Sequence, residues 1–300
     1  MPKPLFSNHT EGNQSNQQYP LVSIIIPYYM HENFIAETVW SAKRQTYPNV
    51  EIIVVDDGSP DPPDRALNDI SGIKLVRTEN LGCPGARNVG FKHSSGEYLI
   101  FLDGDDVLLP GAIEAHLKAL ADAPAACLSF GSVRIIDKDG REKRAPRICA
   151  PRKNYFFMLL EHNPIASPGS MMLRRKPFVE VGLYDSNLRY FPDDYELLLR
   201  LARRYDFVQH SVCVLEYRRH STNVSGDQEA ILKGTLAVLD SLEKREKLTP
   251  SLRRRIEHGR RRWIHQCRPK DEFGYHVRSI YYRGRELWNI PLKNLFSDNF

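Results

Sequence analysis

The sequence predicts an α/β fold, a largely parallel sheet with helices on both faces, followed by a helical C-terminal lobe. Short β-branched apolar runs alternate with helical patterns over residues 22–102, two of those runs end in carboxylate clusters, and from about Asp227 the chain turns helical and strongly basic. With 300 residues, 41% hydrophobic and 26% charged, the chain can bury a generous core with an appended lobe, which excludes disordered and collagen-like classes.

Residues 1–20, rich in Asn, Gln, Ser and Pro, are expected to form a disordered polar tail. Residues 21–225 read as one domain and 226–300 as a basic helical lobe. Strands over 22–26, 51–55, 73–76 and 98–102 alternate with helices over 33–44, 65–70 and 85–93. Beyond Pro110 a helix to about Ala121 precedes strands over 127–136 and 170–173, a helix over 194–204 and a strand over 207–217. Gly82, Gly85 and Gly90 lack the spacing of a dinucleotide-binding loop and read as turn and helix-packing residues.

The longest apolar run, 21–27, is far shorter than the roughly 18–20 residues that span a bilayer, and no signal sequence opens the chain, so a soluble, cytoplasmic protein is expected. Five scattered cysteines suit neither a zinc site nor a disulfide framework and read as packing residues. A net charge of +5 suits an anionic nucleotide without selecting for one.

Ligands of such sheets bind beyond the strand C-termini, which places Pro27-Tyr28, Asp56-Asp57-Gly58-Ser59 and Asp103-Gly104-Asp105-Asp106 at the candidate site. Crowded carboxylates repel unless a positive group neutralises them, and Mg²⁺ or Mn²⁺ does so with one or two protein carboxylates plus substrate phosphates. The same turns read as solvated Asx turns and helix caps if nothing binds there. The acids at Asp56-Asp57 could also accept a uracil imide N–H or a ribose hydroxyl.

Four stretches together resemble the donor half of glycosyltransferase family 2, with the GT-A fold: residues 22–29; residues 45–59; Ala86-Arg87-Asn88-Val89-Gly90; and 96–106, which ends in the acid turn. The resemblance covers roughly residues 21–125. It implies a Rossmann-like domain with a mixed, mostly parallel central sheet, divided into a donor half (21–125) and an acceptor half (126–225). It also implies an inverting transfer from a nucleotide-diphosphate sugar, by default a UDP-sugar, to an acceptor hydroxyl on a glycan, a lipid-linked molecule or a small molecule. Polysaccharide or surface-glycan synthesis is the natural setting. By the same resemblance Pro27, Tyr28 and Asp57 belong to the nucleobase end of the donor site, Asp103 lies near ribose and diphosphate, Asp105 is the metal ligand of the DxD motif, and Arg87 faces the donor.

Inversion by one in-line attack needs a carboxylate to take the acceptor's proton. Pro192-Asp193-Asp194-Tyr195-Glu196 is an acid cluster at a helix start, where the macrodipole is expected to keep carboxylates ionised. Ordinary N-capping would look the same, but the stretch is similar to the family's acceptor-side motif, whose base falls on Asp194; Asp193 stands where Glu is usual. Tyr217-Arg218-Arg219-His220 resembles the family's Tyr-Arg-x-His segment, which implies a donor contact for Arg218 and a metal or phosphate contact for His220.

The Arg runs 253–255 and 260–262 alternate with Ile256, Trp263 and Ile264, a pattern that would let the lobe rest peripherally on the inner face of an anionic membrane; a solvated helix face is the plainer reading. No nucleic-acid motif accompanies them. Two rival functions are a sugar nucleotidyltransferase, which needs a Gly-rich basic loop where Tyr28-Tyr29-Met30-His31-Glu32 stands, and a non-catalytic binding module, against which the intact Asp105 and Asp194 argue.

Overall fold

The computed structural model describes residues 19–30, 32–145, 154–188, 192–221, 223, 226–245 and 248–267. In chain order the elements are β1 (Val22–Tyr28), α1 (Glu32–Lys43), β2 (Val50–Asp56), α2 (Asp64–Leu67), β3 (Lys74–Arg77), α3 (Cys83–Lys92), β4 (Tyr98–Phe101), β5 (Val107–Leu108), α4 (Ala112–Asp122), β6 (Ala126–Asp137), β7 (Glu142–Arg144), α5 (Tyr155–Glu161), a 3₁₀ turn (Pro168–Ser170), β8 (Met171–Arg174), α6 (Arg175–Glu180), α7 (Asp193–Ala202), β9 (Asp206–Arg219), α8 (Gln228–Arg245) and α9 (Pro250–Cys267). The expected polar tail lies outside the described residues save Tyr19 and Pro20, which are tied down: Tyr47 Oη donates to Pro20 O and Asn49 Nδ2 to Tyr19 O, each at 2.7 Å. Residues 268–300 of the expected lobe, and Cys149, also lie outside.

The strands form one mixed sheet in the order β3-β2-β1-β4-β8-β6-β9-β5, with β7 on the outer part of β6. β1 is buried along its whole length, as an unbroken apolar run covered on both faces should be. It pairs in parallel with β2 and β4, matching Tyr28 to Asp56 and Ile25 to Phe101, so the turns after all three strands emerge on the same edge. β8 then runs antiparallel to β4 and to β6, while β6 and β9 are parallel to each other.

The period-two alternation of β1 divides the core. Ile24 and Ile26 face α1 and α4, against Val39 and Leu120. Ile25 faces the opposite layer, in a cluster that extends through Phe101, Leu198 and Trp263. α8 and α9 therefore share a core with the sheet. α9 closes on α5 at Gly259, where an added Cβ would stand 2.2 Å from Leu160 O. Trp263 Nε1 donates to that same carbonyl at 3.1 Å.

The α2 segment differs from its expected span of 65–70: it starts one residue earlier, directly after Pro62-Pro63, and ends after one turn at Leu67. The arginines of α9 differ from a bare basic face. Arg260 pairs with Asp240 and with Glu243 (2.6 Å), Arg262 with Glu161 (3.2 Å) and Arg261 with Glu257 (3.2 Å), while Arg255 lies over the Phe157 ring at 4.3 Å. No described helix is long and apolar enough to cross a membrane.

α3 lies tight on the sheet through Gly90, whose missing Cβ would fall 2.3 Å from Ile25 Cγ2 and 3.1 Å from Val55 Cγ2. Gly90→Val is therefore expected to lower stability by about 2–3 kcal/mol by overpacking, read as a lower urea midpoint at unchanged m-value.

Candidate active site

The turn after β2 is fixed by its own acids. Asp56 Oδ1 accepts from Ser59 N at 2.9 Å, and Gly58 supplies the positive φ (72°) at a point where a Cβ would meet Asn80 N at 2.8 Å. The buried Asp57 accepts from Leu81 N at 2.8 Å, and its own N–H donates to Tyr28 O at 2.9 Å, tying β1, β2 and the approach to α3 together. Pro27 is buried, and Gly104 lets the acid turn after β4 come close, since a Cβ there would be 3.0 Å from Pro27 O. The Tyr28 ring is buried and its hydroxyl donates to Asp61 O at 3.1 Å, which ties the end of β1 to the segment before α2.

In the turn after β4 the three acids have different surroundings. Asp103 is partly open to the rim. Asp106 is fully buried: Oδ1 accepts from Arg218 N and Oδ2 from Ser167 Oγ, both at 3.0 Å. Burial, then the neighbouring Asp105 and Asp103, pushes its carboxyl well above the ordinary range. Asp105 Oδ2 lies 2.9 Å from His220 Nε2 and 3.3 Å from Asn223 Nδ2.

Arg218 was expected at the donor diphosphate. The structure places it beneath the acid turn instead, at 2% exposure: Nε donates to Asp105 O (2.9 Å), Nη1 to Asp137 O (3.4 Å) and Lys138 O (3.3 Å), and Nη2 to Glu37 (2.6 Å). Its guanidinium lies over Phe34 at 4.9 Å, and Phe34 stacks on His220 at 5.1 Å. Thr38 Oγ1 donates to Asp106 O at 2.8 Å, so α1 and the end of β9 grip the turn from both sides.

Arg87, on α3 and 4% exposed, donates from Nη2 to Asp103 Oδ1 at 2.6 Å and from Nη1 to Asp193 at the start of α7. Burial alone would lower its pKa, but Cys83, Asp193 and Asp103 outweigh burial and hold it well above the usual guanidinium value. Asp194 retains partial exposure. The expectation that the helix N-terminus keeps it ionised is corrected by burial, which, with Asp193 beside it, raises its carboxyl to about 7 against the pull of Arg87 and of Tyr195 N, which donates to Oδ1 at 2.7 Å. Cys83, at the start of α3, lies within electrostatic reach of Arg87, Asp193, Asp103 and Asp57, so these expected residues converge on one cleft.

Sequence reasoning missed Glu37, Phe34, Ser167 and Tyr184, which have no motif of their own: Ser167 bonds Asp106, Glu37 and Phe34 brace Arg218, and Tyr184 lies against Arg87. Phe34 and Glu37 stand one helical turn apart, the sole hint that both face the same side of α1. Among the described residues no group of three or more His, Cys, Asp and Glu side chains is arranged to hold a metal. The Asp105–His220 pair, one oxygen and one nitrogen donor in contact, fits a cation that takes the rest of its ligands from phosphate and water.

The sheet, with its acid turns on the C-terminal edge, has the GT-A glycosyltransferase fold. S. aureus TarS (residues 1–349) in complex with UDP-GlcNAc superposes with a TM-score of 0.60 at 16% identity, covering 81% of this chain and 72% of that one. The mannosyltransferase PcManGT from Pyrobaculum calidifontis, in complex with GDP-Man and Mn²⁺, gives 0.61 at 17% identity over 88% and 76%. The family model for glycosyl transferase family 2 matches residues 23–182, and the chain belongs to that family. An uncharacterized glycosyltransferase of Rickettsia typhi, RT0329, is 32% identical over 244 residues, 77% of this chain and 76% of the relative. Another, from Rickettsia bellii, is 31% identical over 210 residues, and there the match spans only 30% of the relative's length.

The Asp106 carboxyl offers a stability test. Asp106→Ala leaves Arg218 N–H without its acceptor and is expected to cost about 1–3 kcal/mol. Asp106→Asn can still accept from Arg218 N and donate to Ser167, and burial already favours the uncharged carboxyl, so it is expected to cost under about 1 kcal/mol; urea denaturation of the two variants reads the difference.

Proposed function

We propose that the protein transfers a sugar, with inversion, from a nucleoside-diphosphate sugar to an acceptor hydroxyl, with Asp194 as the base. The observation that carries this reading is the Arg87 bridge, in which one guanidinium is paired with the donor-side acid Asp103 and with Asp193, the chain neighbour of Asp194. The acceptor oxygen attacks the anomeric carbon, the bond from that carbon to the diphosphate oxygen breaks, and Asp194 takes the acceptor's proton. A carboxyl at about 7 suits this task, because about half of it is ionised at neutral pH while it is basic enough to draw the proton.

On the donor side, Asp57 and the backbone of Pro27 would receive the nucleobase, and Asp103 the ribose. Asp105 and His220 would hold a Mn²⁺ or Mg²⁺ ion, which when bound supplies charge neutralisation for the departing diphosphate. UDP is the default nucleotide; the complexes of TarS with UDP-GlcNAc and of PcManGT with GDP-Man support a nucleotide-sugar donor of this general kind. Polysaccharide or surface-glycan synthesis, on a glycan, lipid-linked or small acceptor, is the role that fits. Peripheral contact with the inner face of a membrane would fall to the exposed Arg253, Arg254 and Arg255, since the second Arg run of α9 is engaged with acids of the protein itself.

A panel of UDP- and GDP-sugars with Mn²⁺ or Mg²⁺, monitored for release of the nucleoside diphosphate, tests the reading. Asp105→Asn is expected to abolish the metal-stimulated component. Asp194→Asn is expected to keep donor affinity while lowering turnover about 10²–10⁴-fold. Wild-type turnover in both variants sinks the mechanism.

The pH profile gives a separate check. Protonation removes the base, so kcat/KM is expected to fall about tenfold per pH unit below about 7 and to level off above it. A profile flat from pH 5 to 8 contradicts Asp194 as the base.

A further inference from the structure

We infer that Arg87 is a positioning residue that fixes the base-bearing end of α7 to the donor-side acid turn, in place of a direct ligand of the donor. The inference rests on Asp194 being the base. Arg87 is 4% exposed, and each of its terminal nitrogens donates to an acid of the protein, Nη2 to Asp103 on the turn after β4 and Nη1 to Asp193 at the first residue of α7, while Nε is buried without a hydrogen-bond partner among the described residues. The two carboxylates come from segments far apart in the chain, and only a planar fork with parallel donors can meet both from one buried position. The Tyr184 ring lies against the guanidinium at 5.2 Å, closing off one of its faces.

The neighbouring residue on α3 completes the arrangement. Asn88 Oδ1 accepts from Tyr184 N at 3.1 Å and its Nδ2 donates to Tyr184 O at 2.9 Å, which pins the loop 181–184 to α3. From the other side, Arg200 of α7 donates to Leu183 O at 2.7 Å and to Val181 O, while its Nε bonds both Glu196 oxygens at 2.8 Å. α7 is thus tied to α3 at two places: directly at its first turn through Arg87, and one helix-length later through Arg200, the loop and Asn88. The loop turns at Gly182, φ 93°, and at Leu183, φ 65°, a left-handed conformation uncommon for a residue with a side chain.

The consequence is chemical as well as mechanical. The charged and titratable groups facing Asp194 are Asp193 on its own helix, Arg87 on α3, Asp103 on the acid turn and Tyr184 on the loop. Arg87 is the cation of that set. Its removal leaves Asp194 among like charges, harder to ionise and on a helix end with no tether.

Carbon-13 NMR of the full chain labelled at aspartate carboxyls tests this without a known acceptor. The Asp194 signal is assigned by its loss in Asp194→Asn, and Arg87→Gln is expected to raise its titration midpoint by about one pH unit or more. UDP with Mn²⁺, followed by calorimetry, is expected to bind Arg87→Gln within about threefold of wild type. A midpoint shift under about 0.3 pH unit in folded Arg87→Gln overturns the inference. Should Arg87→Gln not fold, Arg87→Lys decides, because an ammonium cannot span both acids: amide exchange over residues 194–197 is expected to rise about tenfold with α3 unchanged, and unchanged exchange there overturns the tether. Full transfer activity in Asp194→Asn would instead overturn the base assignment while leaving the midpoint shift and the tether standing.

Discussion

Like charge crowded at one sheet edge is the constraint on which the architecture turns. The parallel register of β1 with β2 and β4 delivers Asp56, Asp57, Asp103, Asp105 and Asp106 to the same rim, and α7 brings Asp193 and Asp194 to meet them. So many carboxylates cannot all stay ionised in a low-dielectric cleft without compensation. Backbone N–H groups from Ser59 and Leu81 satisfy Asp56 and Asp57. Burial drives Asp106 toward its neutral form, and Arg87 neutralises Asp103 and Asp193 together. Asp105 is buried with His220 Nε2 and Asn223 Nδ2 against its carboxylate.

The two buried arginines divide that work in a way their sequence contexts do not reveal. Arg87 belongs to a recognisable stretch and Arg218 to another, and the resemblance implied a donor contact for each. In the fold both are buried and bonded to acids and carbonyls of the protein. Arg218 holds the acid turn through backbone atoms of Asp105, Asp137 and Lys138, partners 113, 81 and 80 positions away in the chain. Such partners are invisible to spacing or periodicity, because they are set by which strands neighbour each other: β9 lies between β6, with which it pairs in parallel, and β5, the short strand directly after the acid turn. The donor-side turns were legible for the opposite reason: each follows its own strand directly, so the order of apolar run and acid cluster is itself the structural statement. Asp194 falls between these cases. Its place at a helix start was readable, but its ionisation was not, since the macrodipole argument held only for a solvated helix end and this one is packed beneath Arg87 and Tyr184.

The C-terminal helices bear on the same site from behind. Tyr195, the residue after Asp194, is turned toward the lobe: it donates to Leu159 O at 2.9 Å and meets the Trp263 ring edge-on at 5.5 Å. α5 is thereby held between α7 and α9, and the close approach at Gly259 leaves little room for α9 to shift. α9 reads as a charged surface helix from composition alone, yet its apolar stripe of Leu252, Ile256 and Trp263 supports the helix that carries Asp194. Its arginines fit that role too: Arg260 and Arg262 reach the acids of α8 and α5 and clamp the three helices together.

α7 is thus held from opposite sides by different kinds of force. Toward the cleft it is fixed by ion pairs and hydrogen bonds, which are directional and sensitive to the charge of whatever enters; toward the lobe it is fixed by apolar packing, which is not. The helix that carries Asp194 keeps this packing whatever the charge at the rim, because the burial of Tyr195, Leu198 and Trp263 does not depend on the state of Asp103 or Asp105. Its ionisation, in contrast, answers to every charge around Arg87. Rigid placement and adjustable protonation come from separate faces of one short helix.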